Sequence, residues 1–201
     1  MPRPAVEFWF EFASTYSYLS VMRIERVAEA AGVEVAWKPF LLGPVFLALG
    51  WNDSPFNIYP PKGRYMWRDL ERLAMKEGLP FHRPSRFPRN GLLAARVALV
   101  GVEAGWVAPF ARAVMTANFA EDREIGEAAV IEDILRALGL PADEVMARAQ
   151  ADANKLALRC QTERAAELGL FGAPSFRVGE ELFWGNDRLE DALAWACAGA
   201  A

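Results

Sequence analysis

Val6 to Phe12 interleaves apolar and acidic side chains, Val-Glu-Phe-Trp-Phe-Glu-Phe, which predicts an aromatic-rich strand. Ser14 or Thr15 then stands where a helix N-cap is needed. Leu19, Met22, Ile24 and Val27 carry an apolar stripe through a helix running to about Ala31. Gly32 closes that helix, and Val33-Glu34-Val35-Ala36-Trp37 reads as a second strand. Strand, helix and strand with a short return form a βαβ unit, so the two strands are expected to be parallel.

From Gly43 to Pro61 the pattern loses its period and becomes rich in Gly, Pro and aromatics, a length of connection that points to binding. Helical periodicity resumes from Lys62 to Glu77 and, after a Pro-rich loop from Gly78 to Pro88, from Asn90 to Ala104. Further helices are expected at Trp106 to Asn118, Glu127 to Leu138, Ala142 to Gln150 and Asp152 to Leu168. The character then changes. Gly172 to Val178 and Glu181 to Trp184 read as strands joined by a tight turn at Gly179-Glu180. Asp187, with Glu190 three residues on, reads as a capping box opening a last helix to about Cys197.

Composition narrows the function classes. The chain has 201 residues, 53% hydrophobic, with a net charge of -4, which argues against a nucleic-acid binder. No apolar run approaches the roughly 18 residues of a membrane span. Met1-Pro2-Arg3-Pro4 leads into the first strand without the apolar region of a signal peptide, so the expected setting is the cytosol. Two distant cysteines, Cys160 and Cys197, read as reduced thiols rather than a disulfide framework. A lone histidine, His82, argues against zinc sites and Ser-His-Asp chemistry.

The candidate chemistry gathers at element junctions. Ser14-Thr15-Tyr16-Ser17 opens a helix, where free N–H groups and the helix dipole favour an anion. Ala173-Pro174 precedes a strand, Asn186-Asp187 precedes a helix, and Lys62 opens one after Pro60-Pro61. Each has a plain structural reading as a cap, a strand-initiating proline or a surface charge.

Taken jointly and in order, these segments resemble the 2-hydroxychromene-2-carboxylate isomerases and their relatives, the kappa-class glutathione transferases. The segments that carry the resemblance run nearly end to end. They begin with Phe12-Ala13-Ser14-Thr15-Tyr16-Ser17-Tyr18-Leu19, Trp37-Lys38-Pro39-Phe40-Leu41-Leu42-Gly43 and Ser54-Pro55-Phe56-Asn57. Lys62-Gly63-Arg64-Tyr65-Met66 and Phe87-Pro88-Arg89-Asn90 follow. Phe171-Gly172-Ala173-Pro174-Ser175-Phe176 and Leu182-Phe183-Trp184-Gly185-Asn186-Asp187-Arg188-Leu189 complete the set. One departure is Thr15, where the family usually has proline.

The resemblance implies an α/β chain with a thioredoxin-like βαβ…αββα sheet domain interrupted by an all-helical insertion. The expected division is about 1–42 plus 152–201 for the sheet domain and about 43–151 for the insertion. It implies glutathione as cofactor, with Ser14 hydrogen-bonded to its sulfur where other thioredoxin-like proteins carry Cys-x-x-Cys. A cis Pro174 would turn the backbone of Ala173 toward the cysteinyl part. Asn186 and Asp187 would take the γ-glutamyl end, and Lys62 a carboxylate. An upstream Asn contact falls on Asn52, with Asp53 as the alternative. The implied reaction is cis–trans isomerisation between 2-hydroxychromene-2-carboxylate and trans-o-hydroxybenzylidenepyruvate in naphthalene-type degradation, by a cytosolic homodimer.

For the aromatic substrate, Tyr16, Trp37, Phe40 and Phe87 are the candidate walls. Arg89, Arg86 and Lys38 are the candidate partners of its carboxylate, and His82 reads as structural. The rival readings are a kappa-like transferase or peroxidase and a non-catalytic glutathione-binding protein. Ser14 and Ser17 lack the sulfurs that a dithiol oxidoreductase needs.

Overall fold

The structure is a computed structural model that describes residues 3–199. Met1 and Pro2, named above in the reading of the first segment, lie outside the described residues. Four strands form one sheet in the order β2-β1-β3-β4, with β1 Ala5–Phe10, β2 Glu34–Pro39, β3 Ser175–Val178 and β4 Glu181–Trp184. β1 runs parallel to β2, as the βαβ pattern predicts, and antiparallel to β3, which pairs with β4 as a hairpin. Both ends of the chain therefore build the sheet, and eight helices lie between its halves in sequence: α2 Leu42–Ala48, α3 Pro55–Ile58, α4 Pro60–Glu77, α5 Leu92–Ala104, α6 Val107–Phe119, α7 Ala128–Ala137, α8 Ala142–Gln150 and α9 Asp152–Glu167.

Register explains the aromatic content. Phe8 sits opposite Trp37 on one side and Phe176 on the other, and Phe176 is opposite Phe183, so one aromatic row crosses all four strands. The Phe8 ring lies 5.2 Å from Trp37, edge-on, and 5.3 Å from Phe176, stacked. Burial of each such ring contributes about 1.5–3 kcal/mol. Trp37 is therefore part of the sheet core and not a substrate wall. Trp9 points to the opposite face, where it meets Phe40 edge-on at 5.9 Å beside Val45, Ala165 and Leu170. Phe40 is completely buried in that cluster, which likewise corrects its reading as a substrate contact.

Helix α1 spans Thr15–Ala31 and ends at Gly32, whose φ of 70° lets its N–H reach the carbonyls of Ala28 and Glu29. It packs against α6, α4 and the last helix, α10 Leu189–Ala198. Three expectations are corrected here. The aperiodic segment after β2 contains two short helices, α2 and α3, the first burying Val45 alone and the second burying nothing, so neither leaves a stripe to read. Asp187 forms no capping box: Asn186–Arg188 is a 3-10 turn, α10 starts at Leu189, and Glu190 is drawn away to Arg23. Helix α4 begins two residues earlier than expected because Pro60 and Pro61 fill its first positions, where no N–H is required.

Candidate active site

Ser14 follows a tight turn after β1, with its N–H donating to Glu11 O at 3.0 Å. Its side chain, and not that of Thr15, caps α1: Oγ accepts from Ser17 N at 3.2 Å. The same hydroxyl donates to Ala173 O at 2.9 Å, across 159 residues of sequence. The Ala173–Pro174 peptide is cis, as the resemblance implies, and Gly185 N donates to Pro174 O at 3.0 Å. One hydroxyl thus stands at the meeting point of the α1 N-terminus and the loop before β3. No acidic residue lies in the first turn of α1 to cancel the helix dipole at that point.

Thr15 and Tyr16 are occupied by α4. Thr15 Oγ1 donates to Met66 Sδ at 3.2 Å, and Tyr16 Oη donates to Asp69 Oδ2 at 2.9 Å. Lys62 precedes Met66 by four residues and Asp69 by seven, so it shares the α4 face that meets the start of α1. Its ammonium lies 5.5 Å over the Tyr59 ring. It forms no ion pair among the described residues. Burial, then the Asp69 carboxylate, pushes the Tyr16 phenol above its ordinary value, and Tyr65 and the Asp187 carboxylate add to the shift. Tyr16 therefore stays protonated and lies within electrostatic reach of Asp187.

Asn186 is 9% exposed and Asp187 lies open to solvent on the same turn. The Asp187 Oδ2 is 3.4 Å from Arg188 Nη2. Asn52 is exposed in the α2–α3 connection. Asp53 is engaged locally, accepting from Ser54 N at 2.6 Å and from Asn57 Nδ2 at 3.1 Å. Phe87 is half-buried, edge-on to Trp67 at 4.9 Å, and Tyr16 lies 6.3 Å from Phe56. His82 is exposed, its backbone N–H on Phe119 O.

Arg89 is not placed to hold a substrate carboxylate. Its guanidinium donates to Asn118 O and Oδ1 at 3.1 Å each, to Asp122 O at 3.1 Å, and pairs with the Asp122 carboxylate. The Ser85 N–H and this guanidinium hold the Asp122 carboxyl down at about 2. Asn118 Nδ2 in turn donates to Phe12 O at 3.0 Å, so the network props the segment that delivers Ser14. Arg86 is exposed, 3.7 Å from Glu124, and Lys38 is half-buried on β2. Together with Pro88, Asn90, Gly126 and Glu127, Arg86 and Glu124 line an open cleft of about 410 Å³ whose lining does not include Ser14.

Sequence reasoning missed Glu11 and Arg23. Glu11 is 8% exposed, its Oε2 accepts from Ala13 N at 3.1 Å, and burial pushes its carboxyl up to about 7 against the opposing Ala13 hydrogen bond. Gly91 makes room for it, since a Cβ there would stand 2.8 Å from Glu11 Oε1. Arg23 had a legible signal: a cation between Leu19 and Val27 on the apolar stripe of a helix.

A four-stranded mixed sheet, a capped helix opening after the first strand and a cis proline facing it define a thioredoxin-like protein. The model of the DSBA-like thioredoxin domain matches residues 5–194. The chain is 30% identical to a 2-hydroxychromene-2-carboxylate isomerase of Sphingobium xenophagum over 92% of its own length and 94% of the relative's. A solved structure of 2-hydroxychromene-2-carboxylate isomerase superposes with a TM-score of 0.85 at 26% identity, covering 98% of this chain and 97% of that one. The Caenorhabditis elegans protein named glutathione S-transferase kappa 2 is 26% identical over 93% of the chain and 89% of its own length. The chain belongs to the DSBA-like thioredoxin domain family and, within it, to the 2-hydroxychromene-2-carboxylate isomerases; it is an enzyme of the isomerase class.

Proposed function

We propose that the protein is a glutathione-dependent cis–trans isomerase acting on 2-hydroxychromene-2-carboxylate or a closely similar aromatic pyruvate. The observation that carries this reading is the Ser14 hydroxyl, held between the α1 N-terminus and Ala173 O, at a junction that contains no cysteine. When bound, glutathione supplies a thiolate that adds reversibly to a conjugated double bond, so that the bond can rotate.

The chain's own residues fit that group. Ser14 Oγ–H turns from Ala173 O to donate to the sulfur, and the uncompensated N-terminus of α1 stabilises its negative charge. Ala173, released, offers its backbone carbonyl and N–H to the cysteinyl unit in the manner of a short added strand. Asp187 faces the ammonium of the γ-glutamyl end and Asn186 its carboxylate, while Lys62, on the α4 face beside Thr15 and Tyr16, meets the remaining carboxylate. Asn52 is a further contact. Tyr16 and Phe87, half-buried and partly open, bound the aromatic substrate. Isomerisation returns the thiolate it uses, and opening the chromene ring breaks its C2–O bond and moves the C2 hydroxyl proton to the released phenol oxygen, so no net acid or base is consumed. The same reading includes a homodimer in the cytosol, and analytical ultracentrifugation of the purified chain tests the first part.

Calorimetric titration with reduced glutathione, comparing wild type with Asp187→Ala, tests the cofactor; the absorbance change of the chromene carboxylate on adding enzyme and glutathione tests the reaction. Saturable binding that weakens in the variant, with glutathione-dependent conversion, supports the proposal. Binding without conversion favours a transferase acting on another electrophile, the reading that the kappa relative supports. Absence of binding at millimolar glutathione overturns both.

A further inference from the structure

Arg23 projects from the buried face of α1, 9% exposed, toward the turn that precedes α10. Its Nε donates to Asn186 Oδ1 at 3.2 Å, its Nη2 donates to Asn186 O at 2.6 Å, and its Nη1 pairs with Glu190. Ser20, completely buried on the same helix, donates from Oγ to the same Asn186 Oδ1 at 2.9 Å. These contacts fix more than position. A guanidinium has donors only, so the amide atom facing it must be the oxygen. The amide nitrogen of Asn186 is then directed the other way, and it has no protein acceptor among the described residues. Beside it on the turn stands the exposed carboxylate of Asp187.

We propose that Arg23 and Ser20 are positioning residues that lock the Asn186 amide with its NH2 group outward, so that the turn presents a donor beside a carboxylate and selects a free α-amino-acid end. Such an end carries a carboxylate and an ammonium on one carbon, one for the Asn186 donor and one for Asp187. Were the amide free to flip, its oxygen would face the ligand carboxylate in half of its orientations. The inference rests on the glutathione reading and deepens it: a γ-linked glutamyl residue has both groups free, whereas an α-linked one has spent its α-carboxylate in the peptide bond. Since Ser14 caps the helix that carries Ser20 and Arg23, α1 also sets the span between the sulfur end and the amino-acid end of the ligand.

The test is a comparison of ligands in folded protein. Dissociation constants for glutathione, its α-glutamyl isomer and cysteinylglycine are measured for wild type, Arg23→Lys and Ser20→Ala, with the thermal midpoint of each. Lysine keeps the charge opposite Glu190 but cannot fork to both Asn186 atoms. Arg23→Lys is expected to weaken glutathione about 10-fold, the scale of losing one or two buried hydrogen bonds, and to leave cysteinylglycine within about 2-fold. Wild type prefers glutathione to the α-glutamyl isomer, and the variants lose that preference. Ser20→Ala, a small truncation that leaves Arg23 in place, moves the same ratio in the same direction by about 2- to 5-fold. Equal losses for glutathione and cysteinylglycine, or no change in their ratio in either variant, overturn the inference while the cofactor reading stands. If wild type binds no glutathione, the two fall together.

Discussion

Glu11 is an acid in a place that penalises its charge, and the penalty can be measured. It is buried just past the end of β1, the only hydrogen bond its side chain accepts among the described residues comes from Ala13 N, and no cation among them contacts it. Burial raises its carboxyl from an ordinary 4.5 to about 7. The folded state therefore holds this proton more tightly than the unfolded chain does. Below pH 4.5 both states are protonated and nothing is lost. As pH rises toward 7 the unfolded chain releases its proton first, so stability falls; above 7 both are ionised and the loss is complete. At about 1.4 kcal/mol per pH unit, the raised carboxyl destabilises the fold by about 3 kcal/mol at pH 8. Glu11→Gln keeps an oxygen for Ala13 N and cannot ionise. Urea unfolding of both proteins from pH 4.5 to 8 should show the variant nearly equal to wild type at the acid end and more stable by up to about 3 kcal/mol at pH 8, which for a chain of this length is about 6–12 °C in Tm. A stability difference that stays flat across that range, or that shrinks as pH rises, refutes the assignment of a neutral carboxyl at this site.

Ser14→Ala removes the donor to the sulfur together with a helix cap: activity is expected to fall about 100-fold, on the scale of losing a single preorganised donor, while stability drops only about 1 kcal/mol, checked by steady-state kinetics and thermal melts. Gly63→Ala puts a Cβ 2.2 Å from Phe56 O, a backbone atom that cannot swing aside, and should cost about 1–3 kcal/mol in urea unfolding through the α3–α4 contact. Gly172→Ala places a Cβ 2.4 Å from Trp184 Nε1, so the indole must leave its edge-on contact with Phe171; the Trp184 indole N–H resonance should shift, and glutathione affinity should fall because Ala173 is the next residue.

What could be read from the sequence follows from the range of the interactions involved. The βαβ unit, the hairpin and the long helices are written in local periodicity, and the parallel pairing of β1 with β2 follows from the single helix that crosses between them. Helices α2 and α3 are not legible because they bury almost nothing, so no apolar face repeats along them. The aromatics were ambiguous for a different reason: Trp37, Phe40 and Phe87 look alike as residue types, and only the sheet register and the packing of the intervening helices separate the core rings from the half-open one. Arg89 misled in the same way, since its partners Asn118 and Asp122 lie 29 and 33 residues on, at and beyond the end of α6.

The site divides along the same line. Its contact points, Ser14, Lys62, Ala173, Asn186 and Asp187, stand at element ends, where a cap or a turn already requires a recognisable residue type. The residues that orient them are interior: Glu11 beneath the turn, Asn118 bracing Phe12 from α6, Ser20 and Arg23 gripping Asn186. Interior polar groups mostly need partners, and for Asn118 and Arg23 one partner lies more than a hundred residues away, Phe12 and Asn186 respectively. Yet each breaks an apolar pattern at the point where it acts. A buried charge on a helix stripe costs stability unless something holds it, so its presence in α1 is itself a signal that a distant acceptor must face it. The sequence therefore signals that Arg23 needs a distant acceptor, and only the fold shows that this acceptor is the Asn186 turn.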